Sequence, residues 1–474
     1  MTTPSLPPRK TKIICTLGPA SESPEILRQL MEAGANVFRL NMSHAKHEWV
    51  RMMVTRIREV AESAGTHIGI LMDTQGPAIR TGEVSSKLDL KPGDILEFTV
   101  RGARSEEMYS VDVNYDGLVD DISPGDVVLV DNGVIRLRVM EKEKNRIRSK
   151  VLTPGQLGSR RHINLPGVRV NLPALTEKDR ADVALGAELG ADMVALSFCK
   201  ERKDIEELRA LLEEHRSNAR IVAKFEDQMA VRNLDELIHV SDAVMVARGD
   251  LGVECPIEEL PIIQRRLIKR AIRFGKPVIV ATHMLESMIQ NPMPTRAEIT
   301  DVANAVFEQA DAIMLSGESA MGQYPVECVR VLDRVARRIE RSGGAGYGDE
   351  VEVTDTMQKT VRAAVVLANS LTNARIVVFT RRGMMAGRVS NFRPQRAQIF
   401  AFTPFVSTCR RMVLQWGVTP IEMPFRELPH ETIEAAERLL KERGHVKTGD
   451  HLVIVSNVLA GRYEADSIQL RTIA

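Results

Sequence analysis

One phrase of hydrophobic and polar positions recurs four times along the chain: a small pair with an acid or amide, an apolar run, then polar residues. It reads GANVFRLNMS from Gly34, GADMVALSF from Gly190, SDAVMVARGD from Ser241 and ADAIMLSGES from Ala310. Runs this short and this rich in β-branched residues read as strands buried on both faces, and each follows an amphipathic stretch such as Pro24 to Ala33 or Glu258 to Phe274. KIICTLGP from Lys12, IGILMDT from Ile68, RIVAKFED from Arg220 and PVIVATHM from Pro277 bring the strands to eight. Eight strands alternating with helices predict an α/β fold of the (β/α)8 barrel type, with an open doubly wound sheet as the alternative. The absence of Gly-x-Gly-x-x-Gly after the first strand counts against the dinucleotide-binding form of that alternative.

The period changes twice. Between Gly82 and about Leu165 it becomes two, in ILEFTV, VVLV, VIRLRV and RIRSKV, with a hairpin signal at Asp131-Asn132-Gly133. An all-β insertion after the third barrel strand is the expectation. A glycine-rich polar connector, RSGGAGYGDE, then spans Arg341 to Glu350. Beyond it a helix from Thr354 to Thr372 and the strands ARIVVFT, AQIFAFT, VTPIEM and HLVIVS alternate with helices as a separate α/β unit. The expected division is therefore 1–82 with 166–340 for the barrel, 83–165 for the β insertion and 350–474 for a separate C-terminal α/β domain.

Composition supports folded domains and removes several functions. The 474 residues exceed one ordinary core and suggest roughly two to four domains. Lys and Arg number 64 against 63 Asp and Glu, so no bulk field draws nucleic acid or an anionic membrane. Five scattered cysteines without a Cys-x-x-Cys pair argue against a disulfide framework or a zinc cage. With no targeting segment and no membrane-length apolar run, a cytoplasmic protein is expected.

Active sites of such barrels lie at the C-terminal ends of the strands, so the polar residues there carry the chemistry. Strand two ends in Arg39, Asn41, Ser43 and His44, strand three in Asp73, Thr74 and Arg80, and strand five in Lys224 and Glu226. Strand six ends in Arg248, Gly249 and Asp250, strand seven in Thr282, and strand eight in Ser316 and Glu318. Glu226 and Asp250, on adjacent strands, offer hard oxygens for Mg²⁺ or Mn²⁺, the alternative for each acid being a salt bridge to a rim arginine. Arg39, Arg80 and Lys224 supply the positive charge that phosphoryl transfer needs. Gly249 lets backbone approach a carboxylate, assisted by the Thr282 hydroxyl, or serves only as a tight turn.

These residues sit in blocks that resemble the pyruvate kinase family: KIICTLGPAS, RLNMSHAKHE, MDTQGPAIRTG, VMVARGDLGVECP, VIVATHMLESMIQNPMPTRAEITDVANAV and IMLSGESAMGQYP, in that family's order. The resemblance implies phosphoryl transfer from phosphoenolpyruvate to ADP, giving ATP and pyruvate, with Mg²⁺ and usually K⁺. It implies that Glu226 and Asp250 hold the divalent ion, that Lys224 and Arg39 meet the phosphoryl group, and that Gly249, Asp250 and Thr282 hold the carboxylate. It further implies Asn41, His44, Arg80, Asp131 and Arg161 at the nucleotide, Arg161 standing where the family usually has lysine. Thr282 and Ser316 would serve the proton path, the β insertion 83–165 would be a lid over the barrel mouth, and 350–474 would be a regulatory and oligomerisation domain of a homotetramer.

Departures from the family pattern leave particular points open. Asn41, Ser43, Asp73 and Thr74 match its K⁺ site, but the accompanying acid is Ala78 and the lysine beside Thr74 is Gln75, so K⁺ dependence stays open. Phe225 and Asp227 flank Glu226 unusually, and strand alternation turns Phe225 away from the rim. His283 replaces a common glutamine and is expected to act as a neutral hydrogen-bonding substitute. In the loop Thr380 to Ala386, Met384 and Met385 replace hydroxyl donors, which argues against a fructose bisphosphate cradle, although Arg381 and Arg382 could take another phosphorylated effector. A Mg²⁺-dependent pyruvate or oxaloacetate lyase and a non-catalytic effector-binding homologue are the competing readings.

Overall fold

The computed structural model describes residues 9–105, 107–460 and 463–474. Its eight central strands are Lys12–Thr16, Val37–Asn41, Gly69–Asp73, Met193–Leu196, Arg220–Phe225, Ala243–Ala247, Val278–Ala281 and Ala312–Leu315. All pair in parallel, and the first pairs with both the second and the eighth, so the sheet closes and the open-sheet alternative falls. Alternation along each strand divides the core. Ile14, Val37, Leu71, Ala195, Val222, Met245, Ile279 and Met314 fill the barrel interior. Their neighbours Ile13, Phe38, Ile70, Val194, Ile221, Val244, Val280 and Ile313 pack with the main core under the helices.

The helices are set by local chemistry as well as burial. Pro24–Ala33 begins with Ser23 accepting from the Ile26 N–H, has proline in its first turn, and ends at Gly34 with φ 113°. It buries Leu27, Leu30 and Met31, worth roughly 2 kcal/mol each in removed apolar surface. Thr176 and Asp179 form a reciprocal capping box at Glu177–Glu188.

The inserted segment forms a six-stranded sheet and a separate two-stranded one over their own hydrophobic core. Val127–Val130 and Ile135–Lys142 pair antiparallel around Asp131, Asn132 and Gly133, all at positive φ, as the hairpin signal requires. The short strands Leu88–Leu90, Ser110–Asp112, Gly155–Leu157 and Ile163–Asn164 went unread in the sequence because two or three residues carry no visible period.

In the C-terminal unit the helix runs Thr356–Ser370, and four parallel strands order as Val418–Glu422, Gln398–Thr403, Ala374–Phe379 and His451–Ala460. A fifth strand, Tyr463–Thr472, pairs antiparallel with the last and was not anticipated, since its alternation is polar on an edge. Val413 and Leu414 pack with the barrel interior, so this unit closes the barrel floor opposite the mouth. Among the described residues no helix is long and apolar enough to cross a membrane.

Candidate active site

The same alternation that fills the barrel aims its last side chains into the mouth. Arg39 has the parity of Val37, Asp73 that of Leu71, Ser197 that of Ala195, and Lys224 that of Val222. Phe225, one residue on, is fully buried in the outer core, as expected. The mouth therefore receives polar ends from strands whose bases are wholly apolar.

Those ends form one chain of charge. The Arg39 Nε donates to Asp73 Oδ2 at 2.6 Å, and the Lys224 Nζ lies 3.0 Å from Asp73 Oδ1 and 2.7 Å from Glu226 Oε1. Lys224 also donates to the Ser197 hydroxyl at 2.6 Å, and Arg39 to Thr16 Oγ1 at 3.0 Å. Burial opposes the Lys224 charge, but Asp73 and Glu226 outweigh it and hold its pKa well above the ordinary lysine value. Burial likewise opposes the Asp73 charge, yet Lys224 and Arg39 keep that carboxyl below the usual range. Among the described residues the acid paired with a rim arginine is Asp73, whereas Glu226 pairs with Lys224 and Asp250 with no cation.

Glu226 is different. Burial first, and Asp250 next among the groups that raise it, lift its carboxyl to about 7 despite Lys224. Its second oxygen accepts the Phe198 N–H at 2.7 Å, with Phe198 held at φ 52°. Asp250, in the first turn of Arg248–Glu254, makes no ion pair among the described residues, and it opens into the same cleft as Glu226. Glu226 and Asp250 thus open two hard carboxylates into one cleft, close enough that Asp250 raises the proton affinity of Glu226, an arrangement that fits an oxygen-seeking divalent cation. Among the described residues no cluster of three or more His, Cys, Asp or Glu could hold a metal, so water or substrate would complete the shell.

The cleft encloses about 380 Å³. It gathers Arg39, Asn41, Ser43, Thr74, Lys224, Glu226 and Asp250 from the barrel, with Arg80, Asp131 and Arg161 from the lid and its stem. Asp131 and Arg161 face each other at 3.3 Å. Asn41 Oδ1 accepts the Ser43 N–H at 3.2 Å and Thr74 Oγ1 the Ser197 N–H at 3.1 Å, while Asp73 lies under the cleft between its two cations.

Thr282, Gly249, Ser316 and His44 are not among the cleft's lining residues. Thr282, at φ 69°, accepts the Gly249 N–H at 2.7 Å and donates to the Ala281 carbonyl at 2.6 Å, so these two loops approach closely at the glycine. The Gly249 N–H is thus already satisfied within the fold. Ser316 donates its N–H to Glu318, which also accepts from the Leu285 N–H and is buried as an anchor between the last two loops. Arg248 is a scaffold clamp rather than a rim cation, bonded to Asp301, Ala281 and Thr282. His44 and His283 are exposed.

The mouth also receives Ser197, Phe198, Arg160 and His162, which the pattern of strand ends does not single out. The first two follow the strand whose polar end, GADMVALSF, was not included in the rim. His162 lies in the returning stem of the lid, where burial and then Arg80 lower its pKa and keep the ring neutral.

A closed barrel whose mouth sets convergent cations beside two hard carboxylates, under a lid carrying further arginine, is the architecture of a phosphotransferase. Comparison with known proteins agrees. Residues 8–329 match the family model "Pyruvate kinase, barrel domain" and residues 358–470 match "Pyruvate kinase, alpha/beta domain". The chain is 43% identical over 464 residues to a pyruvate kinase of Geobacillus stearothermophilus, covering 96% of this chain and 78% of that one. It is 40% identical to plastidial pyruvate kinase 3 of Arabidopsis thaliana, over 95% of this chain and 79% of that one. A crystal structure of a pyruvate kinase from Cryptosporidium parvum superposes with TM-score 0.94 at 33% identity, covering 98% of this chain and 96% of its own. The chain belongs to the pyruvate kinase family.

Proposed function

We propose that this chain transfers the phosphoryl group of phosphoenolpyruvate to ADP, giving ATP and pyruvate. The observation that carries the reading is the Arg39–Asp73–Lys224–Glu226 chain opening into a cleft whose other wall is Arg80 and Arg161. A lyase or a non-catalytic homologue has no use for that second wall.

In this reading a β-phosphate oxygen of ADP attacks phosphorus while the enol C–O–P bond breaks at its P–O side. The enolate left behind takes a proton at its methylene carbon. Lys224, with Arg39, faces the charge that spreads over the transferring group, and both are pre-oriented by Asp73 so that no reorganisation is needed in the transition state. Gly249, Asp250 and Thr282 hold the carboxylate, and binding it would redirect the Gly249 N–H from Thr282. Asn41, His44, Arg80, Asp131 and Arg161 meet the nucleotide, the lid excluding water as it closes. Thr282 and Ser316 serve the proton path, for which the Thr282 hydroxyl must turn from Ala281. Glu226 and Asp250 hold Mg²⁺ or Mn²⁺, which when bound neutralises developing charge on the enolate and phosphoryl oxygens.

Finer assignments stand with this reading. K⁺ would sit among Asn41, Ser43, Asp73 and Thr74, less strongly drawn because Ala78 offers no carboxylate. A phosphorylated effector fits a cleft of about 300 Å³ between barrel floor and C-terminal unit, lined by Arg220, Lys276, Arg382 and Arg411. Membership of the family supports the expected homotetramer and a place in the cytoplasm. The test is pyruvate release from phosphoenolpyruvate and ADP with Mg²⁺ while K⁺ is titrated from zero. Release that needs both substrates establishes the transferase; no release from phosphoenolpyruvate, with pyruvate and CO2 formed from oxaloacetate instead, would establish the lyase.

A further inference from the structure

The lid joins the barrel through two stems. The outgoing one is held where the Gln75 and Gly76 N–H groups donate to Asp179. The returning one, His162 to Leu165, bonds to the outgoing stem through the Ile163 N–H to the Ile79 carbonyl, and to the lid sheet through Ile163–Asn164 against Val127–Val130. The Asp131 N–H, at the end of that lid strand, donates to the His162 carbonyl. Asn164 is therefore one strand away from the residues the lid presents to the cleft.

Its side chain reaches the barrel. Asn164 Nδ2 donates to Glu254 Oε1 at 3.0 Å, with both residues at most 9% exposed. Gln228 Nε2 donates to the Glu254 carbonyl at 2.6 Å, tying in the helix that follows the fifth strand. One atom of this contact is left over: Asn164 Oδ1 is buried with no close hydrogen-bond partner, although the neighbouring His162 ring interacts with the same amide. An orphan buried acceptor costs roughly 1–3 kcal/mol, and a neutral carboxyl beside it removes that cost, because acid and amide each offer a donor and an acceptor on one edge.

We propose that Asn164, Glu254 and Gln228 form the pin of the lid, with the Glu254 carboxyl donating to Asn164 Oδ1 as the neutral acid, and that these are positioning residues setting the angle at which Arg80, Asp131 and Arg161 meet the nucleotide. The surroundings favour the neutral acid. Burial, and behind it Asp227 and Asp250, lift Glu254 to about 7, against the bonds from Asn164 and the Leu165 N–H. The other charged or titratable groups near the pin are Lys200, Arg232 and His162, which line the same small cavity, and Cys255. This inference rests on the nucleotide reading of the lid, so its test includes a readout free of turnover.

Glu254→Gln keeps a donor and an acceptor on the same edge, whereas Glu254→Ala and Asn164→Ala remove the pin. Hydrogen exchange of the full chain should quicken in 155–170 in both alanine variants and stay at the parental rate in Glu254→Gln. Kinetically, KM for ADP should rise about fivefold or more in the alanine variants, as for one lost buried bond, with KM for phosphoenolpyruvate changed less than twofold and Glu254→Gln restoring both. Glu254→Gln behaving like Glu254→Ala, or both KM values rising together, would overturn the pin. Unchanged exchange in the alanine variants would overturn it whatever the lid binds. If the alanine variants do not fold, the infrared carboxylic-acid band of the parent at neutral pH should shrink in Glu254→Gln, Glu226 supplying the remainder, and an undiminished band refutes the neutral acid.

Discussion

Replacing Lys224 with methionine keeps the aliphatic stem and removes one ammonium from the middle of the charge chain. The parent side chain is about nine-tenths buried and holds two carboxylates and a hydroxyl within 3.0 Å. Asp73 would keep Arg39 at 2.6 Å, but Glu226 would keep only the Phe198 N–H. Breaking a buried pair by removing one partner costs about 3–5 kcal/mol. Here the cost is capped: Glu226 already titrates at about 7 with the lysine present, so without it the carboxyl takes up a proton at neutral pH instead of remaining a bare charge. The expected destabilisation is thus at the low end, about 3 kcal/mol, and falls further when Mg²⁺ is added. Phosphoryl transfer should fall by about 10³-fold or more, since a cation aimed at the transferring group is worth that much. The assays are urea unfolding with and without Mg²⁺, and pyruvate formation from phosphoenolpyruvate and ADP. A variant within tenfold of the parent rate would refute the assignment of Lys224, and a Mg²⁺-independent stability loss would refute the charge argument.

Three further outcomes are expected. Thr282→Val, which keeps the shape at φ 69° but loses the hydroxyl bonded to Gly249 and Ala281, should lower kcat by about 10²-fold, while Thr282→Ser stays within about threefold; equal loss in both would point to backbone strain instead. Glu226→Gln and Asp250→Asn each remove a hard anionic ligand, so the Mg²⁺ concentration for half-maximal rate should rise at least about tenfold in either, read by Mg²⁺ titration and by Mn²⁺ binding without substrate. Lys12 is buried at the barrel floor with its Nζ donating to the Val418 carbonyl at 2.6 Å, and burial, then Arg9, lowers its pKa to about 7. Between that value and the unfolded lysine's 10.5 the unfolded chain binds more protons, so Lys12 makes stability rise with pH above 7 and contributes no slope below it. Lys12→Met should flatten the rise of the urea midpoint from pH 7 to 9, leaving a smaller part from Lys10, whose pKa burial lowers to about 8; an unchanged slope would show that Lys12 does not titrate there.

The barrel and most of its mouth were legible because the relevant information is local. A strand of four to six residues buried on both faces must be apolar, it must end in polar residues where it meets solvent, and period two states which of those face inward. Arg39, Asp73 and Lys224 follow from that counting alone, as does the banishment of Phe225 to the outer core. The Asp-Asn-Gly hairpin was legible for a similar reason, since positive φ at successive positions demands those residue types. The polar edge strand Tyr463–Thr472 and the two-residue strand Ile163–Asn164 were not, because their pairing partners, not their own patterns, make them strands.

What the sequence by itself determined, then, is the list of strands, the residues at their ends and the family whose blocks they match. Only the tertiary structure decided how the acids pair: Asp73 lies between Arg39 and Lys224, Glu226 shares Lys224 and takes the Phe198 N–H, and Asp250 makes no ion pair among the described residues while opening into the same cleft. It also turned Arg248 into a clamp, placed Thr282 against Gly249, and joined Asn164 to Glu254 across the 90 residues that separate them. A pattern along one strand reports solvent against core, which each residue settles with its own neighbours. Charge balance and hydrogen-bond satisfaction are settled between residues far apart in sequence, and those distances exist only once the sheet has closed.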